Sequence, residues 1–261
     1  MTAFFERTPI NTNLPICFFR IRLSNYLGGF TMKLRNNPVV LPGLALLLGL
    51  GALGLRLALY RLCVDEKGLL TPGHPLEIGI WILTGAAALL AALSGGGPRE
   101  KRYPRMEALG ELLAAAGILF ALAESIHSLV SVLEVIRLAL SAVACVGLGW
   151  AAASRLRGGR PHVLCYGAAC LFFAMNVVCC YRGWVSHPQL QDYLFPLLGA
   201  LAMMAFSYLR CVPEKYRSRR MVGLLGGCLC LAALAKTQFV SMYLGCGLWM
   251  LTNADAPGEP L

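Results

Sequence analysis

Apolar residues run in long blocks from about Val39 to Thr252, separated only by short basic or mixed links. The blocks fall at Val39–Leu62, Glu77–Ser94, Met106–Ile126, Ser128–Ser154, Val163–Tyr181, Tyr193–Leu209, Met221–Ala235 and Phe239–Thr252. About 20 apolar residues carry a helix across a bilayer, and backbone that is not hydrogen-bonded within its own segment is excluded from lipid. The pattern therefore predicts an all-α, polytopic transmembrane bundle of about eight spanning helices. The last two blocks are short, and Lys236-Thr237-Gln238 between them has neither Gly nor Pro to turn the chain. Seven spans, or a re-entrant last hairpin, is the alternative.

Composition agrees with the pattern: 57% hydrophobic and 14% charged residues, against roughly a quarter charged in soluble domains. No link is long enough for a soluble catalytic domain, so the chemistry belongs to the membrane or its surfaces. Seventeen of the 23 Lys and Arg fall on one side if the amino end is cytoplasmic, which places both termini in the cytoplasm. The net charge of +10 is thus a topological signal, and it gives no reason to expect a nucleic-acid partner.

Residues 1–31 are unpatterned and lack the apolar run and cleavage site of a signal peptide. Gly28-Gly29 stands just before Met32, and two Gly codons can spell a ribosome-binding sequence. The expectation is a bacterial start at Met32, with 1–31 a non-native or disordered extension. Residues 32–254 then form one transmembrane domain of the plasma membrane, and 255–261 a short tail.

Intramembrane charges are costly and normally turn inward, so they mark the candidate site. At helical spacing, Ala45, Gly49, Ala52 and Arg56 share one face, as do Gly110, Ala114, Gly117, Ala121 and Glu124, and then Glu134, Arg137, Ser141 and Cys145. Asn176 adds a polar group in the fifth block. Arg56, Glu124, Glu134, Arg137 and Asn176 are therefore expected to converge on an outward-opening cavity for a small polar or anionic solute. Arg137 is expected to pair with Glu134 or Glu124.

Glu124-Ser125-Ile126-His127 has the Glu-x-x-His spacing of carboxylate-bridged metal bundles, but only one copy is present, leaving Glu124 and His127 as weak metal candidates. The cysteines form no metal-type CxxC pair, and Cys179-Cys180 is the one pair that suggests oxidation. No cofactor motif is found.

The stretch Tyr60–Glu77, with Val64-Asp65-Glu66-Lys67-Gly68 and Pro72-Gly73-His74-Pro75, is similar to segments of uncharacterised multi-pass membrane proteins of anaerobic Gram-positive bacteria. The resemblance implies a membrane protein and no activity.

Three functional classes follow. A carrier needs a polar midplane site and helix irregularity, for which Pro196, Gly199, Gly43, Gly49 and Gly51 speak. An accessory subunit, with a membrane-protein partner, needs only close-packing helices and a buried ion-pair network. An intramembrane enzyme needs a His-Glu-x-x-His, Gly-x-Ser-x-Gly or comparable constellation, and none occurs. The charge distribution favours the carrier and leans away from an enzyme, with an intramembrane metal-dependent enzyme the third alternative.

Overall fold

The computed structural model describes residues 40–63, 74–94, 103–126, 131–185, 190–212 and 215–255. The chain separates into units 1–37 and 38–261, and all described residues belong to the second. The expected 1–31 extension, the Met32 start, His127, and the tail beyond residue 255 lie outside the described residues.

Among the described residues eight α-helices follow in order: α1 Val40–Leu62, α2 Pro75–Leu93, α3 Pro104–Ile126, α4 Val132–Leu156, α5 Val163–Val185, α6 Leu190–Cys211, α7 Tyr216–Ala233 and α8 Val240–Asn253. A short 3₁₀ turn, Leu234–Lys236, extends α7. No strand occurs among the described residues. Seven helices are long and apolar enough to cross a membrane. The eighth, α8, has 14 residues, about 21 Å at 1.5 Å per residue, against a hydrocarbon core of about 30 Å.

Local chemistry sets the helix ends. Ser131 caps α4 in a reciprocal box: its side chain accepts from the Glu134 amide while the Glu134 carboxylate accepts from the Ser131 amide. The cap starts α4 four residues later than the hydropathy block suggests. At its other end Gly158 adopts φ 77°, which a side chain resists, and the Gly158 and Gly159 amides close onto the carbonyls of Arg155 and Ser154. This stop holds the last turn of α4, and with it Arg155, in a fixed position.

The packing inverts that of a water-soluble core. Large apolar side chains face outward, among them Leu62 at 76% exposure, Val132 at 78% and Leu164 at 73%. The buried faces are rich in Ala, Gly and polar groups, as expected where lipid is the solvent and helices associate by close approach. The face of α1 carrying Ala45, Gly49, Ala52 and Arg56 is buried, and so are Gly110, Ala114, Gly117 and Ala121 of α3.

Helix α3 packs against α4 and α8, α5 against α4 and α6, and α7 against α6, α8, α1 and α2. The closest approach is between α3 and α8. A Cβ on Gly117 would stand 2.5 Å from the Ser241 carbonyl oxygen, and one on Gly245 2.3 Å from that of Leu113. Trp249 of α8, fully buried, stacks on Phe173 of α5 and meets Phe206 of α6 edge-on. A short helix thus fills the middle of one end of the bundle.

Four arginines among the seventeen basic residues assigned above to the cytoplasmic side lie buried in the protein. Arg155, Arg210, Arg219 and Arg220 are inside helices and no more than 6% exposed. Helix α7 begins at Tyr216, five residues before its hydropathy block, because Arg219 and Arg220 find partners within the protein. Arg219 donates to the Leu209 carbonyl at 3.2 Å, and Arg220 donates to the Ser94 carbonyl at 2.9 Å and pairs with Asp255 at 2.7 Å.

Candidate functional site

Two polar regions occupy opposite ends of the bundle. At the end where α3 finishes and α4 begins lies a cavity of about 610 Å³. The α7–α8 connection, residues 234–239, forms part of its wall. Arg137 of α4, Asn176 and the Cys179-Cys180 pair of α5, and Asp192 and Pro196 of α6 line it, with Lys236, Phe239 and Tyr243 of the α7–α8 hairpin.

Arg137 is half-buried in the wall. Its guanidinium lies 4.7 Å over the Phe239 ring, and Nη2 donates to the Ser125 hydroxyl at 3.4 Å. Among the described residues no carboxylate lies within ion-pair distance of Arg137, contrary to expectation. Glu134 does not fill that role because its carboxylate closes the α4 capping box. Glu124 is exposed at the last turn of α3, since one more residue of rotation puts Ser125 on the buried face instead. Neither residue lines the cavity. His127, the other half of the metal expectation at Glu124, lies outside the described residues, which contain no metal-binding group of three.

Asn176 is 2% exposed. Its amide nitrogen is buried without a hydrogen-bond acceptor, with the Tyr243 hydroxyl as polar neighbour. That hydroxyl donates to the Pro196 carbonyl at 2.8 Å. Pro196 lies inside α6, where a proline interrupts the backbone ladder, and the Tyr243 contact ties α8 to the interruption.

Arg56 is not in the cavity. It is 2% exposed behind the opposite wall, where Nη1 donates to the Ala232 carbonyl at 2.6 Å and Nη2 to the Tyr60 hydroxyl at 3.0 Å. The Phe195 ring lies 4.5 Å below its guanidinium. Tyr60 donates in turn to Asp192 at 2.6 Å, and Lys236 lies 3.8 Å from the same carboxylate. A relay Arg56–Tyr60–Asp192–Lys236 therefore fixes one wall, and Arg137 with Asn176 faces the cavity from others. Of the five expected residues the structure brings two to the cavity surface. Asp192, from the first turn of α6, and Lys236, from the end of the 3₁₀ turn after α7, join them.

The second polar region was not anticipated. Glu107 and Glu111 of α3 lie one turn apart, 5% and 0% exposed, and the Arg155 guanidinium spans both. Nε donates to Glu111 at 2.9 Å, Nη1 pairs with Glu107, and Nη2 donates to the Tyr166 hydroxyl at 2.9 Å. Tyr166 donates to Glu111 at 2.5 Å and accepts from Arg210 at 3.0 Å, so its oxygen is fully used. Asn253 of α8 donates to the Glu107 carbonyl at 3.0 Å. The planar fork of arginine suits this double recognition, and two carboxylates balance two guanidinium groups. One network joins α3, α4, α5 and α6 at this end of the bundle.

Compared with family models, with curated proteins and with solved structures, the chain shows no match.

Proposed function

We propose that this multi-pass membrane protein is a small-solute carrier or binding protein whose ligand is anionic and enters the Arg137 cavity. The observation that carries the reading is Arg137 itself: it lines a cavity of about 610 Å³, and its guanidinium is held by a ring and a hydroxyl instead of a carboxylate. Ligand pockets commonly measure about 300–1,000 Å³. A charge at membrane depth normally finds a counter-charge or serves a pathway. The opposite end, joined by the Glu107–Glu111–Arg155–Arg210 network, supplies the closed gate of an alternating-access cycle.

Seven full-length helices cross the plasma membrane, and α8 returns from within it to the side where α7 began. Support for this path is the seating of Asp255 on Arg220, at the start of α7. With the five buried arginines and half-buried Arg137 set aside, thirteen Lys and Arg stand on the side assigned to the cytoplasm against four on the other. The cavity then opens outward and both ends are cytoplasmic. A cysteine at exposed Ser218 is expected to stay unlabelled by an impermeant maleimide in intact cells and to react after lysis, relative to the parent chain. Labelling in intact cells would reverse the orientation.

The anion reading is tested by thermal stabilisation of the purified protein across a panel of inorganic and organic anions at constant ionic strength, since a ligand that binds only the folded state raises its melting point. At least one anion is expected to stabilise the parent protein. Arg137→Gln should abolish that shift, while Arg61→Gln, at an exposed position, leaves it unchanged. A shift retained in Arg137→Gln would defeat the reading. The second reading, an accessory subunit held by a buried ion-pair network, draws on the Arg155 cluster and expects no anion to stabilise at all.

A further inference from the structure

Resting on the reading of the Arg137 cavity as an anion site, we propose that its ligand is an organic monocarboxylate with an apolar or aromatic body, in preference to an inorganic anion or a polycarboxylate. The charges lining the cavity are two cations, Arg137 and Lys236, and one carboxylate, Asp192. Lys236 lies 3.8 Å from Asp192, and these two offset each other. Glu134, three residues from Arg137, is committed to the Ser131 amide. One positive charge is left for a ligand, which suits a single negative charge.

The donors match that count. Arg137 and Asn176 both line the cavity, and the Asn176 amide nitrogen, buried beside the Tyr243 hydroxyl, has no acceptor in hydrogen-bond geometry. A guanidinium edge and one amide N–H satisfy the two oxygens of a carboxylate. A phosphate brings more oxygens and up to a second charge, and a citrate three carboxylates, for which this wall has no further cations.

The remaining wall describes the body of the ligand. About 610 Å³ is far more than a chloride or phosphate fills. Pro196, Phe239, Val240 and Tyr243 present apolar and aromatic surface there, which rewards an apolar group and offers nothing to a hydrated ion. The Phe239 ring beneath the guanidinium adds a flat surface beside the charge. Acid and body are thus recognised side by side.

The test is calorimetric titration of the whole protein in lipid nanodiscs with acetate, hexanoate, benzoate and 3-phenylpropionate, and with chloride, inorganic phosphate, citrate and 3-phenylpropanol. Hexanoate or one of the aromatic acids is expected to bind with one site per chain, at least tenfold more tightly than acetate, phosphate, chloride, citrate or the alcohol. Arg137→Gln should weaken that binding at least tenfold, and Asn176→Leu several-fold, in protein that retains the parent melting point. If Arg137→Gln does not fold, Asn176→Leu and the alcohol carry the same comparison. Phosphate, chloride or citrate binding more tightly than every monocarboxylate, with loss in Arg137→Gln, overturns the ligand class and leaves the anion site standing. Equal binding of acid and alcohol, or no binding of any anion, overturns both.

Discussion

Replacing Arg155 by alanine is expected to cost this protein most of its folded yield, whereas Arg157→Ala, two residues on and exposed, should cost almost nothing. Arg155 is the shared partner of Glu107, Glu111 and Tyr166 in a region where none of the four is more than 6% exposed. Removing one member of a buried ion pair leaves the other charge uncompensated, typically at about 3–5 kcal/mol. Here two carboxylates are stranded together, with Arg210 alone to answer them, 3.7 Å from Glu111. The measurement is the monodisperse fraction after detergent extraction, with the melting point of what survives. Because replacing a buried ion pair by neutral groups is often tolerated, Arg155→Met combined with Glu107→Gln, which leaves Glu111 to pair with Arg210, should recover much of the loss. If Arg155→Ala and Arg157→Ala behave alike, the buried network is wrong.

Gly245→Leu and Gly117→Leu are expected to have the second largest effect, by forcing α3 and α8 apart. The atoms in the way are backbone carbonyl oxygens, at 2.3 Å from a Cβ on Gly245 and 2.5 Å from one on Gly117, so no side-chain rotation relieves the clash. Overpacking a core costs typically about 1–3 kcal/mol when neighbours can shift, and occasionally more. With backbone on both sides, these variants belong at the upper end of that range. Gly85→Ala and Gly149→Ala provide the comparison, because a Cβ at either position meets nothing within 4 Å. Melting points that fall equally in all four would contradict the close seam.

The helices α1 to α6 are legible in the hydropathy pattern because lipid leaves the backbone so few options that apolar length almost dictates structure. The buried faces of α1 and α3 are legible for a related reason: small residues recurring at helical spacing mark where helices touch. Charges near helix ends are where the reading fails. An arginine such as Arg155 looks the same in sequence whether it snorkels to a headgroup or bends inward to a glutamate, and positive-inside counting assigns it to the surface. A signal was present: Glu107 lies three residues before Gly110 on the face predicted to be buried, and Glu111 four after Glu107. Two acids on a packing face require cations. Glu134 was misplaced for the opposite reason, since a local cap at Ser131 claims it before any tertiary partner can. The cavity takes part of its wall from the α7–α8 connection, and no local pattern encodes where that connection lies.

The pairing of α3 with α8 also sets an order of events during synthesis. Ser241 donates to the Gly117 carbonyl and Asn253 to that of Glu107, across sequence separations of 124 and 146 residues. At roughly 5–20 residues per second, α3 enters the membrane some 6–30 s before the helix that covers its glycine face is made. During that wait Gly110 and Gly117 lie open to any neighbouring helix of suitable shape. The α3–α4 hairpin can neutralise itself early through Arg155, but Arg210 follows only with α6, and the seam closes last. A nascent chain stalled before residue 240 is therefore the species most exposed to mispairing or to membrane quality control, although it already holds seven of the eight helices.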